Sequence, residues 1–100
     1  MHKPRWTFLT NYAHVFIYIA RNPRSTTREI SIAVGITERA VQKIIQELEA
    51  EGYIVRFKKG RNNIYEVDQN MPMRHPLQGE LAVGELLIAL DSKVKTASPN

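Results

Sequence analysis

Arg39, Gln42, Lys43 and Gln46 share one face of a helix predicted over residues 37–51, opposite Val41, Ile44, Ile45 and Leu48. All four can donate hydrogen bonds, and none is acidic. Arginine or lysine pairs with the O6 and N7 of guanine and glutamine with the N6 and N7 of adenine, each good pair discriminating by about 1–3 kcal/mol. Thr37, Glu38 and Ala40 stand at the leading end, where they suit a phosphate, a cytosine amino group and a thymine methyl in turn. Glu38 is explained more simply by the favourable placement of acid at a helix N-terminus. The competing reading of the whole face is a solvated side of an amphipathic helix. Against it stands the placement of acid at the far end, in Glu47, Glu49 and Glu51. Negative charge there opposes the helix dipole by some tenths of a kcal/mol, so helix stability alone does not account for it. A helix whose N-terminal half approaches a polyanion does.

Two further groups fit the same chemistry. Thr26, Thr27 and Arg28 open the preceding helix, whose unpaired N–H groups and positive dipole end suit a phosphate. Lys58, Lys59, Arg61 and Asn62 gather at a predicted hairpin tip, where they would track phosphates, with Arg61 best placed to enter a narrow minor groove. The plain alternatives are an ordinary capping box and lysines that guard exposed strand edges.

The elements that must hold these groups follow from caps and periodicity. Residues 1–9 form a basic, Pro-containing lead anchored by Trp6, Phe8 and Leu9. Thr10 caps a first helix that runs to about Arg21 and stops at Asn22-Pro23. Tyr12, Val15, Phe16, Ile17, Tyr18 and Ile19 cover most of its circumference, so it is expected to be buried on more than one side. Thr26 and Glu29 form a capping box for a short second helix with Ile30, Ala33 and Val34 inward, ending at Gly35. Only Ile36 separates that glycine from the Thr37 cap of the third helix. So tight a turn forces the two helices to cross steeply, as in a helix-turn-helix.

After Gly52, Tyr53–Lys58 alternates apolar and basic residues; Lys59–Asn63 supplies turn residues and Ile64–Val67 a return strand. A hairpin in that position is the wing of a winged helix. Residues 69–79 read as a linker, with Met71-Pro72 and His75-Pro76 barring helix. A last helix over residues 80–94, starting at about Glu80 or Val83, carries the stripe Val83, Leu86, Leu87, Leu90 and Val94, and residues 95–100 read as a disordered tail. That stripe and the second side of the first helix need a partner surface. Pairing with a second copy through Tyr12, Phe16, Ile19, Leu86, Leu87 and Leu90 would supply it; docking of the last helix on the first is the alternative.

The fold class expected is therefore mainly α with a small β-hairpin: a winged helix-turn-helix over residues 10–68 with an additional C-terminal helix. One hundred residues suffice for one core. Charge is uneven: residues 1–63 hold eleven Lys or Arg against five Asp or Glu, and residues 64–100 hold three against five. The first part thus suits a polyanion and the second something else. The longest apolar run, Val15 to Ala20, is far too short to span a membrane, and the residues after Met1 show no secretory pattern. Cysteine is absent, which excludes disulfides and thiolate ligation and fits a cytoplasmic protein. No catalytic constellation is expected either. There is no Gly-rich phosphate loop, nucleophile elbow, HExxH pattern or metal-ligand cluster, and Glu47, Glu49 and Glu51 point to different sides of their helix. His14 reads as a packed or interface histidine and His75 as a linker hydrogen-bonder.

Thr27-Arg28-Glu29-Ile30, Val34-Gly35-Ile36-Thr37-Glu38-Arg39-Ala40-Val41-Gln42 and Leu48-Glu49-Ala50-Glu51-Gly52-Tyr53-Ile54 together resemble small prokaryotic winged helix-turn-helix transcriptional regulators of the MarR/ArsR type. The resemblance spans roughly residues 8–92. It implies a homodimeric, sequence-specific regulator of double-stranded DNA, with the helix after Gly35 in the major groove and the hairpin over the minor groove. Met73-Arg74-His75-Pro76-Leu77 and Val83-Gly84-Glu85-Leu86-Leu87 look like the C-terminal appendix of a single-domain subgroup. The chain departs from the metal-sensing branch, having only the scattered His2, His14 and His75, and it lacks the longer flanking helices that build an effector pocket. No metal or cofactor is expected, and the small-molecule effector is unknown. A winged-helix module that binds a protein, without sequence-specific DNA binding, is the alternative function.

Overall fold

The computed structural model describes residues 4–96, with side chains described through residue 91. Residues 97–100 of the tail, His2 and the side chain of Val94 lie outside this description. The chain divides after Val67 into two compact units.

The first unit contains α1 (Asn11–Arg21), α2 (Thr27–Val34), α3 (Glu38–Ala50), β1 (Ile54–Lys59) and β2 (Asn62–Val67). Each helix begins where its cap residue directs. The side chains of Thr10, Thr26 and Thr37 accept from the N–H groups of Ala13, Glu29 and Ala40. Glu29 completes the capping box by accepting from Thr26 N–H at 2.9 Å. An alanine at such a cap costs about 1 kcal/mol. The turn between α2 and α3 depends on Gly35, at φ 86°, where a side chain would be strained. Gly52, at φ 87°, ends α3: its N–H donates to the Glu49 carbonyl, and Tyr53 N–H to that of Leu48 at 2.8 Å. This pair of bonds closes the orphaned carbonyls of α3 and turns the chain directly into the hairpin.

The core is drawn from every element of this unit. Val15, Phe16, Ile17 and Ile19 of α1, Ile30 of α2, and Val41, Ile44 and Ile45 of α3 are buried, with Tyr53, Ile54 and Tyr65 from the hairpin and its approach. Burial of each aliphatic side chain contributes on the order of 1.5–3 kcal/mol. Two expectations are corrected here. Ala33 is exposed, and Ser31 takes the inward place beside Ile30. Its hydroxyl donates to the Arg28 carbonyl at 2.8 Å, which satisfies the polar group inside its own helix. Phe16 (4% exposed) and Ile19 (0%) are filled into this core, which removes them from any surface open to a second copy. Two helices, α2 and α3, and the hairpin cover more of α1 than a plain helix pair would.

The strands are antiparallel, with Ile54 opposite Val67 and Lys59 opposite Asn62. The turn is shorter than the sequence suggested, since Lys59, Asn62 and Asn63 are paired strand residues. Gly60 at φ 63° and Arg61 alone make the reversal. Glycine at the first central position is what a two-residue hairpin turn favours. The outer edge of β2 is engaged where Tyr65 N–H donates to the Pro23 carbonyl at 2.9 Å.

The second unit holds a 3-10 turn at Pro76–Gln78 and α4, Val83–Thr96. Residues 69–79, read as a linker from the sequence, are ordered by backbone bonds to the start of α4. Met73 N–H donates to Leu81, Val83 N–H to Met71 and Gly84 N–H to Gln69, at 2.9, 2.8 and 2.8 Å. Pro72 and Ala82 form a bridge between them. Proline fits this narrow ladder because it lies at a position that need not donate. His75 Nδ1 accepts from Leu77 N–H at 3.1 Å and so caps the 3-10 turn. The helix starts at Val83 rather than Glu80 because residues 81 and 82 are spent in this pairing. It runs through Lys95 and Thr96, the first two residues of the stretch read as a tail.

Candidate nucleic-acid interface

α3 presents two opposite faces. Val41, Ile44 and Ile45 are buried, whereas Thr37, Glu38, Arg39, Gln42, Lys43 and Gln46 are exposed. Ala40 is half-buried at the border. Arg39 through Gln46 span about 10 Å along the helix axis at ~1.5 Å per residue. Among the described residues, the side chains of Arg39, Gln42, Lys43 and Gln46 have no hydrogen-bond or ion-pair partner. They form an unpaired row of donors on a rigid, doubly capped helix. The Thr37 oxygen is used as the cap, accepting from Ala40 N–H at 3.0 Å, so only its hydroxyl proton is left for a phosphate.

At the start of α2, Thr26 and Arg28 are exposed and Thr27 is half-buried. The capping box engages the N–H groups of Thr26 and Glu29. Those of Thr27 and Arg28 remain outside the helix ladder, as first-turn donors do. In the hairpin, Lys58, Lys59, Arg61 and Asn62 are all exposed. Arg61 is one of the two turn residues and stands at the extreme tip, while Lys59 and Asn62 form the last pair of the ladder.

Two of the acids at the far end of α3, Glu47 and Glu49, have a different explanation from the one their position suggested. The Tyr12 hydroxyl donates to Glu47 Oε1 and ties α1 to α3. That hydrogen bond, with desolvation and the adjacent negative charge, pushes the phenol above its usual range. Glu49 accepts from Arg56 through both oxygens, Nη2 to Oε1 at 2.8 Å and Nε to Oε2 at 3.3 Å. These two carboxylates thus hold α1 and β1 to the far half of α3. Sequence reasoning did not single out Glu49 or Arg56 as a pair, although a signal was there. Side chains alternate along a strand, so Arg56 must lie on the same face as the buried Ile54, toward α3.

The proposed pairing residues divide by burial. Tyr12 is exposed, Phe16 and Ile19 are buried, and Leu86, Leu87 and Leu90 are half-buried. His14 is half-buried and, with Ile17, Tyr18, Arg21, Ala33 and Val34, lines an open depression of about 270 Å³ between α1 and α2. Among the described residues no group of acidic or histidine side chains could hold a metal ion. Among the described residues no helix is long and apolar enough to cross a membrane.

Residues 15–55, from α1 into β1, match the family model described as winged helix-turn-helix DNA-binding. That match and the arrangement of helices and hairpin define the class: the chain has the winged helix-turn-helix fold. Among solved structures it is similar to a point mutant of ZitR from Lactococcus lactis, at 17% identity and TM-score 0.60, over 97% of this chain and 60% of that one. It is also similar to MepR, a transcription regulator of the Staphylococcus aureus multidrug efflux pump MepA, at 14% identity and TM-score 0.53. That likeness covers 91% of this chain and 66% of MepR. A looser likeness, to the zinc-dependent MarR family transcriptional regulator AdcR in its Zn(II)-bound state, has 21% identity and TM-score 0.49 over 100% and 70% of the chains. No curated protein sequence matches the chain. It spans about 60% of ZitR and 66% of MepR. At these identities the likeness to ZitR and MepR carries the fold alone.

Proposed function

We propose that the chain is a sequence-specific, double-stranded DNA-binding transcriptional regulator of the MarR type, acting as a cytoplasmic homodimer and not as an enzyme. The observation that carries this reading is the unpaired donor row of Arg39, Gln42, Lys43 and Gln46 on α3, flanked by the basic tip at Lys58, Lys59, Arg61 and Asn62. α3 enters the major groove and reads base edges. The tip follows the minor groove, and the N–H groups of Thr27 and Arg28 hold a phosphate. Support comes also from ZitR and MepR, which share the fold, and from MepR's role as a transcription regulator.

The dimer rests on exposed apolar surface. Trp6 and Phe8 are 64% and 91% exposed and meet edge to face at 5.0 Å; Tyr12 is exposed beside them in sequence. In the second unit Leu77, Leu81 and Ile88 are exposed. Two-fold pairing over such surface would set two α3 helices about 34–36 Å apart, one turn of DNA.

Alanine at Arg39 and Lys43 together tests the reading. Affinity for duplex DNA in a mobility-shift assay is expected to fall at least about tenfold, with circular dichroism unchanged. Full retention of affinity in the folded variant would remove α3 from the interface.

A further inference from the structure

We infer that Arg56 and Glu49 position the wing on the recognition helix, so that a carboxylate on α3 raises DNA affinity instead of opposing it. The inference rests on the DNA-binding reading above. The hairpin is rooted by Ile54 and Tyr65, which are 1% and 3% exposed. Beyond them the hairpin residues toward the tip are exposed or half-buried. Ile54 to Gly60 is a lever of roughly 20 Å at ~3.3 Å per residue. A rotation of about 10° at its root moves the tip by roughly 3–4 Å, enough to lift a cation from hydrogen-bonding distance of a phosphate.

Arg56 fastens that lever two residues nearer the tip than Ile54. Its guanidinium meets Glu49 through two nitrogens and two oxygens, at 2.8 and 3.3 Å. A planar fork of this kind fixes direction as well as distance. The two side chains are 39% and 31% exposed, and ion pairs so open to water add little to stability. What the pair supplies is geometry: it sets the angle between β1 and α3, the two elements that carry the wing tip and the base-reading row. Because both its oxygens are occupied by Arg56, Glu49 also leaves less uncompensated charge near DNA than its position suggests.

Glu49→Gln separates this role from simple electrostatics, because the two make opposite predictions. Removing a carboxylate near a polyanion should strengthen binding if charge alone operates. If the pair positions the wing, Glu49→Gln weakens binding to a duplex selected from a random library by about threefold to tenfold. Arg56→Lys, which keeps the charge and loses the fork, should produce a similar loss. The decisive readout is coupling to the tip. Arg61→Ala is expected to cost about fivefold in the wild-type background and less than about twofold in Glu49→Gln. The cost of Arg39→Ala should be the same in both. Tighter or unchanged binding by Glu49→Gln overturns the inference, as does a loss that leaves the Arg61→Ala cost intact. Absence of any selected duplex for the wild-type chain would instead defeat the DNA-binding reading itself. Thermal unfolding of each variant confirms that the exposed pair can be altered without loss of the fold, and Arg56→Lys carries the test should Glu49→Gln fail to fold.

Discussion

Gln42 and Lys59 are both exposed, and on the proposed DNA-binding reading they do different work. Gln42 lies within the capped helix α3, and on that reading its bidentate amide meets one base. Lys59 belongs to the last ladder pair of the hairpin, and on the same reading its flexible ammonium meets phosphates of any sequence. Lys59→Ala and Arg61→Ala are therefore expected to weaken all duplexes alike, and to reduce the slope of log affinity against log salt by about one per lost contact. Gln42→Ala should relax the preference at one base position while leaving that slope nearly unchanged. A wing substitution that altered the preferred sequence, with Gln42→Ala silent, would invert the assignment. Parallel salt titrations against selected and scrambled duplexes distinguish the two.

At the scale of elements, the helices of the first unit and the hairpin were legible because caps and periodicity agreed locally. Thr10, Thr26 and Thr37 mark their starts, and Gly35 and Gly52 their ends. What the sequence did not disclose were contacts between elements. The Glu47 and Glu49 side chains read as acid kept away from DNA, but each has a partner 35 and 7 residues distant, Tyr12 and Arg56. No local pattern announces the first of these. Burial of Phe16 and Ile19 depended likewise on how many elements α1 meets. Residues 69–79 looked like a linker because prolines bar helix there, yet prolines are compatible with the narrow backbone pairing that the second unit uses. Gly84 is the key to that pairing. A Cβ there would lie 2.8 Å from both the Cβ and the carbonyl oxygen of Gln69, and that oxygen accepts the Gly84 N–H. Gly84→Ala must displace backbone, at a cost of about 1–3 kcal/mol that outweighs a gain in helix propensity of up to ~1 kcal/mol. The amides of Met73 and Val83 are expected to exchange with solvent several-fold faster in this variant. Unchanged protection would show that the pairing does not need the glycine.

For the whole molecule, the division of charge and apolar surface suggests a division of labour: residues 1–67 carry the basic faces, and both units expose apolar side chains for pairing. Sedimentation of the intact chain is expected to give a dimer at micromolar concentration. A stable monomer there would contradict the two-fold arrangement. A chain ending after Asp68 that still dimerised would place the interface on α1 and the Trp6–Phe8 lead alone.

The central claim, that α3 and the wing read double-stranded DNA as a symmetric pair, is tested most directly by selection from a random duplex library with the intact chain. The account predicts enrichment of a near-palindrome whose half-sites lie one helical turn apart, about 10–10.5 base pairs between centres. Binding to it should exceed non-specific binding by about a thousandfold or more. Failure of any sequence to rise above the salt-sensitive background would contradict the claim, and would make the winged helix a module for holding a protein.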